Sequence, residues 1–217
     1  MNKNLHLLPA LLAAVLLLHT TGCSNVYYAA YEKIGVYKRD LLKKRVIQAR
    51  DDQQDAQKQF KDALTQLKEI TKFDGGDAER AYRGLKSEYD DCAKQADTVR
   101  GRIREVESVS SDLFAEWEKE IGQISTPSLQ AASRQQLATT KQRYAELHSA
   151  LVAAEQTMAP VLRQFNDYVL YLKHNLNAQA IASLKGEAAS IQTEINRLLE
   201  QMNKSIARAD EFVKTMQ

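Results

Sequence analysis

The chain has 217 residues, with 30 Lys and Arg against 28 Asp and Glu for a formal charge of +2, a balance that carries no global field for nucleic acid. Three prolines, eight glycines and 7% aromatics, beside abundant Ala, Gln, Glu, Lys and Leu, predict long helices. Two cysteines, Cys23 and Cys92, exclude an intramolecular disulfide once the first carries a modification.

Residues 1–22 read as a signal peptide. Lys3 is a minimal positive start, and Leu5 to Leu18 form an apolar stretch interrupted by His6 and Pro9, too short for the roughly 20 residues of a membrane span. Thr20, Thr21 and Gly22 are small enough for a cleavage site, and Cys23 would become the new amino terminus. A thiol there predicts a bacterial lipoprotein with diacylglycerol on Cys23, an acylated amine, and no other cofactor. Several acyl chains at about 0.8 kcal/mol per buried methylene make a stable membrane anchor. Thr20 stands where lipoprotein signals usually carry Leu, and ordinary secretory cleavage after Gly22 into the periplasm is the alternative. Ser24 rather than Asp follows the cysteine, which predicts the outer membrane, with the body facing the periplasm. Loss of the signal removes one lysine and leaves a formal charge of +1.

Residues 23–37 form the anchor and membrane-proximal segment, and 38–217 a single helical domain. Tyr27, Tyr28, Tyr31 and Tyr37 accompany Lys33, Lys38, Arg39, Lys43, Lys44, Arg45 and Arg50, opposed only by Glu32 and Asp40. Such rings and cations suit an anionic headgroup interface, at up to about 1 kcal/mol per cation near the surface. Packing of the tyrosines on later helices, with solvated charges, explains the same residues.

Four heptad seams follow, with predicted helices at about 28–73, 77–125, 127–174 and 178–216. The first reads Leu42, Val46, Ala49, Gln53, Ala56, Phe60, Ala63, Leu67 and Ile70, with only Gln53 polar. Asp74-Gly75-Gly76-Asp77 breaks it: either glycine can take the left-handed conformation, and Asp77 can cap the next helix. The second seam runs Leu85, Tyr89, Cys92, Ala96, Val99, Ile103, Val106, Ser110, Leu113 and Trp117; it places Cys92 among apolar side chains, as a buried small hydrophobe rather than a redox site. Thr126 then reads as a cap followed by Pro127 at the first helical position.

The third seam takes in Leu137, Thr140, Tyr144, Leu147, Leu151, Ala154, Met158, Val161, Phe165, Tyr168 and Leu172. It keeps step through Pro160, which predicts a kink rather than a break. At His174-Asn175-Leu176-Asn177 the register slips. Asn175 or Asn177 can cap a new helix there, a continuous bent helix being the alternative. The last seam runs Leu184, Ala188, Ile191, Ile195, Leu198, Met202, Ile206, Ala209, Val213 and Met216, with a stutter after Met202. Four segments of similar length predict an all-α, elongated antiparallel bundle, about 65 to 70 Å long. Heptad seams can also pair between chains, so oligomeric state stays open.

Little in this pattern carries chemistry. His148 and His174, on one predicted helix, would stand about 39 Å apart and share no metal. No paired-cysteine, H-E-x-x-H, phosphate-loop or nucleophile-elbow pattern occurs, and a calcium loop needs more oxygens than Asp74 and Asp77 supply. Antiparallel folding predicts that Asp74, Gly75, Gly76 and Asp77 meet His174, Asn175, Asn177 and Gln179 at a partner-binding tip. The amides there serve either helix caps or directional recognition.

Tyr171-Leu172-Lys173-His174-Asn175-Leu176-Asn177-Ala178-Gln179-Ala180-Ile181-Ala182-Ser183-Leu184-Lys185-Gly186-Glu187, together with Tyr27-Tyr28-Ala29-Ala30-Tyr31-Glu32-Lys33-Ile34-Gly35-Val36-Tyr37-Lys38-Arg39-Asp40, the Phe73 to Asp77 turn and Trp117, resembles a family of uncharacterised Gram-negative lipoproteins, a domain of unknown function. The resemblance covers nearly the whole mature chain. It implies an envelope-located helical protein and no reaction, substrate or catalytic residue. The expectation is a non-enzymatic scaffold or adaptor with an envelope protein partner; a structural spacer touching lipid or peptidoglycan is the alternative.

Overall fold

A computed structural model describes residues 37–70 and 78–216. They form four helices in chain order, α1 (Lys38–Ile70), α2 (Ala78–Ile121), α3 (Pro127–His174) and α4 (Ala178–Thr215), with no strand among the described residues. The chain divides into two compact units, Met1–Leu41 and Leu42–Gln217. In the first, the described residues make the opening turn of α1, where the N–H groups of Asp40 and Leu41 donate to the Tyr37 carbonyl at 2.9 and 3.0 Å.

The second unit is an antiparallel four-helix bundle. Helix α3 packs between α2 and α4, and side-chain bonds place α1 between the same two neighbours. On one side Arg102 Nε lies 2.7 Å from Asp52 Oδ2, and Gln95 Nε2 donates to the Asp52 carbonyl at 3.0 Å. On the other, Arg50 Nη1 reaches Asp210 Oδ1 at 2.9 Å and Gln57 Nε2 donates to Asn203 Oδ1 at 2.7 Å. Residue numbers rise along one helix as they fall along its neighbour at all four interfaces, which is up-down-up-down topology. The Thr126-Pro127 turn therefore shares an end of this unit with Leu42 and the close of α4. The α3–α4 turn shares the other end with Ile70 and Ala78.

The seams are the core. All nine α1 positions from Leu42 to Ile70 are buried, Gln53 included. In α2 and α3 the seam is likewise buried apart from Tyr89, Trp117, Thr140 and Tyr144, which are half-buried. Such burial stabilises by about 1.5–3 kcal/mol per large apolar side chain, and packing of this kind supplies most of a helix's stability in a folded protein.

Helix α4 departs from the sequence expectation. Its seam does not stutter: Met202, Ser205, Ala209, Phe212 and Met216 are buried in unbroken three-four spacing, while Ile206 and Val213 are half-buried. A serine inside the stripe disguises the register. Phe212 is the large side chain that the expected pattern leaves out, and its ring meets Tyr144 of α3 edge-on at 6.3 Å between centroids.

The helix ends also differ in detail. Residues 28–36 and 71–77, including the expected start of the first helix and the Asp74-Gly75-Gly76-Asp77 turn, lie outside the described residues. Helix α2 closes at Ile121, four residues earlier than expected. Thr126 has the extended backbone of a cap, but its hydroxyl makes no cap bond; Gln130 instead turns its amide back onto the Ile121 and Ile124 carbonyls at 3.2 and 3.3 Å. The Ile121 carbonyl also accepts from the Ile124 N–H at 3.2 Å. Trp117 Nε1 ties the same hairpin by donating to Ser133 Oγ at 2.9 Å. Helix α3 is continuous through Pro160, where the missing N–H leaves the Gln156 carbonyl without its helical donor.

Candidate functional site

The break at His174 is a true turn. Asn177 Oδ1 accepts from the Ala180 N–H at 2.9 Å and so caps α4. Asn175 Nδ2 donates to the Tyr171 carbonyl at 2.9 Å, and its backbone N–H closes α3 on the Leu172 carbonyl at 3.1 Å. The amides of Asn175 and Asn177 are thus spent on the turn, the caps that their side-chain chemistry allows. Gln179 and His174 stay exposed. The partners expected to join them, Asp74 to Asp77, lie outside the described residues.

What the sequence reading passed over at this end is apolar. Leu170 is 48%, Tyr171 39% and Leu176 49% exposed, beside buried Tyr168, Leu172, Ile181 and Leu184. Tyr168 fastens the hairpin by donating its hydroxyl to the Glu187 carbonyl at 3.2 Å, and Gln164 Nε2 reaches Ser190 Oγ at 3.1 Å. The signal was available, because Leu170, Tyr171 and Leu176 fall off the heptad seam. No acidic residue stands between Asp167 and Glu187, whereas Lys173 and Lys185 do; both lysines are exposed.

Of the candidate membrane-proximal residues, Cys23, Tyr27, Tyr28 and Tyr31 lie outside the described residues. Lys38, Arg39, Lys43, Lys44 and Arg45 open α1. Their positive excess is smaller than the sequence count, because two cations of the run are engaged within the bundle. Arg45 Nη1 sits 3.2 Å from Glu105 of α2 and donates to Gln48 Oε1 at 3.0 Å. Arg50 is held by Asp210 and Asp51, and those hydrogen bonds push its guanidinium above its ordinary range. Arg39 approaches Asp40 at 4.0 Å.

Among the described residues Gln53, Ser110 and Ser205 are polar and buried, and Ser110 donates to the Glu107 carbonyl at 2.9 Å. Gln53 and Ser205 are fully buried, and the Gln53 amide nitrogen and oxygen and the Ser205 hydroxyl meet no partner among the described residues. Elsewhere polar groups pair across interfaces: Arg100 with Glu155 at 2.8 Å, Lys141 with Glu118, and His148 Nε2 with Glu107 Oε1 at 2.6 Å. His148 stacks on Tyr144 at 5.8 Å, so its ring is engaged between α2 and α3. Among the described residues no group of three His, Cys, Asp or Glu is placed to hold a metal ion. Open surface grooves lie between α3 and α4 beside Pro160 and Arg197, and along the α2–α3 hairpin beside Arg134 and Lys141.

Cys92 is fully buried on the α2 seam. Burial, with Glu88, Asp91 and Asp62 adding to it, pushes its thiol well above the usual range, so the nucleophilic thiolate is suppressed. With Cys23→Ser leaving it the single thiol, Cys92 is expected to resist maleimide in buffer and to label stoichiometrically in urea. Rapid labelling of the folded protein would show that the α2 seam opens.

No described helix is long and apolar enough to cross a membrane. Compared with known families, residues 27–216 match the one described as protein of unknown function (DUF2959). Neither curated proteins nor solved structures give a match.

Proposed function

The chain belongs to the DUF2959 family of proteins of unknown function, and we propose that this member is a non-enzymatic outer-membrane lipoprotein. Acyl chains on Cys23 would hold it, and its helical bundle would serve in the periplasm as a scaffold or adaptor for an envelope protein partner. The observation that carries this reading is the closure of the bundle. All four seams are consumed inside one chain, and polar side chains tie each of the four interfaces. A unit that needs no second chain to bury its stripes is a self-sufficient support, and its long polar flanks are free to face other proteins.

Address and role are tested separately. Labelled palmitate is expected to enter the wild-type protein and not Cys23→Ser, with the variant appearing in the soluble envelope fraction. Unlabelled wild type would remove the anchor. Crosslinking in intact cells from exposed positions on the flanks is expected to recover the same protein partner repeatedly, and its failure to do so would remove the adaptor role.

A further inference from the structure

The turn between α3 and α4 has the wrong surface for a helix corner that merely faces water. Leu170, Tyr171 and Leu176 are each more than a third exposed. Exposed Lys173 flanks them at the close of α3, and Lys185 lies on α4 two residues nearer the turn than Glu187, whose carbonyl Tyr168 binds. Tyr168, Leu172, Ile181 and Leu184 are buried beside them, and the Tyr168 hydroxyl already ties α3 to α4 at the Glu187 carbonyl.

The geometry points to a lipid-docking tip: the α3–α4 turn inserts Leu170, Tyr171 and Leu176 into the headgroup region of an anionic bilayer, with Lys173 and Lys185 on the phosphates. Three features select lipid as the occupant. The first is charge: the stretch from Tyr168 to Gly186 carries two lysines and no carboxylate, complementary to an anionic surface at about 1 kcal/mol per cation. The second is chemistry: Leu enters the acyl boundary, Tyr prefers headgroup level, and a lysine stem lies along apolar surface while its ammonium stays at the phosphates. The third is the backbone. Asn177 caps Ala180, Asn175 N–H closes on Leu172, and Asn177 N–H donates to the Asn175 carbonyl at 2.9 Å, so the turn approaches low dielectric with these polar groups already satisfied. A protein interface would need about 800 Å² per partner, far more than three side chains at one turn offer.

The opposite end of the bundle supplies the contrast. Leu129 is 61% exposed there, and α2 ends beside it with Glu116, Glu118 and Glu120 around Lys119. At the α3–α4 turn three exposed apolar side chains fall within one stretch, 168–186, whose charged side chains are lysines, and the α2–α3 turn has no such stretch. The inference does not rest on a lipid at Cys23 or on a protein partner, and the experiment reports on the tip itself.

Trp117 is the single tryptophan, so Trp117→Phe with Tyr171→Trp puts the only indole at the turn of an otherwise full chain. With vesicles of equal parts brominated phosphatidylglycerol and phosphatidylcholine, its emission is expected to shift to the blue and to be quenched. Adding Lys173→Glu and Lys185→Glu should weaken that quenching about tenfold or more in lipid concentration. In Trp117→Phe with Leu129→Trp the indole should stay unquenched, which separates docking by the tip from attachment through residues 1–23. Helix content by circular dichroism confirms that each variant is folded. An unquenched indole at position 171, quenching indifferent to the two lysines, or a tip-dependent doubling of mass by light scattering without lipid would each overturn the proposal, the last in favour of a second copy of the chain.

Discussion

Phe60→Ala is expected to destabilise the bundle by about 3–5 kcal/mol, the usual cost of emptying a buried phenylalanine site. Phe60 is fully buried in the α1 seam, and α1 is a polar helix for its length. Asp51, Asp55, Lys58, Lys61 and Lys68 are exposed along it, so α1 depends on its apolar seam to stay docked. The loss is a large share of the roughly 5–15 kcal/mol that holds a domain together. At about 2–4 °C per kcal/mol for a chain of this size, the melting midpoint followed by circular dichroism should fall by about 10 °C. A fall of a degree or two would mean that α1 contributes little to the bundle, and that the α1 seam buried here is open in solution.

Gln53→Leu is expected to work the other way. The carboxamide is fully buried with neither its nitrogen nor its oxygen partnered among the described residues, and the Ser205 hydroxyl is equally buried with no partner among them. A buried polar group left unmatched costs about 1–3 kcal/mol, and leucine nearly preserves the volume, so the substitution should raise stability by about that amount. Gln53→Ala separates the two contributions, because it removes the amide but leaves a cavity, and it should gain less than leucine or lose stability. If Gln53→Leu lowers the melting midpoint, the amide has a partner in solution. A change in mass by light scattering in Gln53→Leu would assign the amide a further role in fixing one register, as buried amides do in coiled coils.

The architecture was legible because heptad spacing is a property of the chain alone. Leu42 to Ile70 and Leu137 to Leu172 could be read off as seams, since each step of three or four residues lands on the same helix face. The cap at Asn177 was legible for a similar reason: a short amide beside a register slip has a local use for its oxygen. The reading failed where a local rule met a non-local choice. Ser205 belongs to the core because the three facing helices leave that position no water, and a pattern that counts apolar residues moves to Ile206 and Val213 and drops Phe212. Thr126 looks like a cap, yet its hydroxyl accepts nothing from α3, and the turn is tied by Gln130 donating to the Ile121 and Ile124 carbonyls. Arg45 and Arg50 count as free charge along the sequence, but Glu105 and Asp210 arrive from other helices to neutralise them.

The sequence by itself determined the number of long helices, the faces they bury and most of the turns between them, because periodicity, proline and capping amides act within a few residues. Only the tertiary structure decided which helices are neighbours, that Gln53 and Ser205 are fully buried, and that Leu170, Tyr171 and Leu176 face solvent at one turn. Those outcomes depend on which surfaces meet. A side chain's burial and its partner are set by residues on other helices, as with Arg50 and Asp210, 160 apart, and no local spacing encodes them.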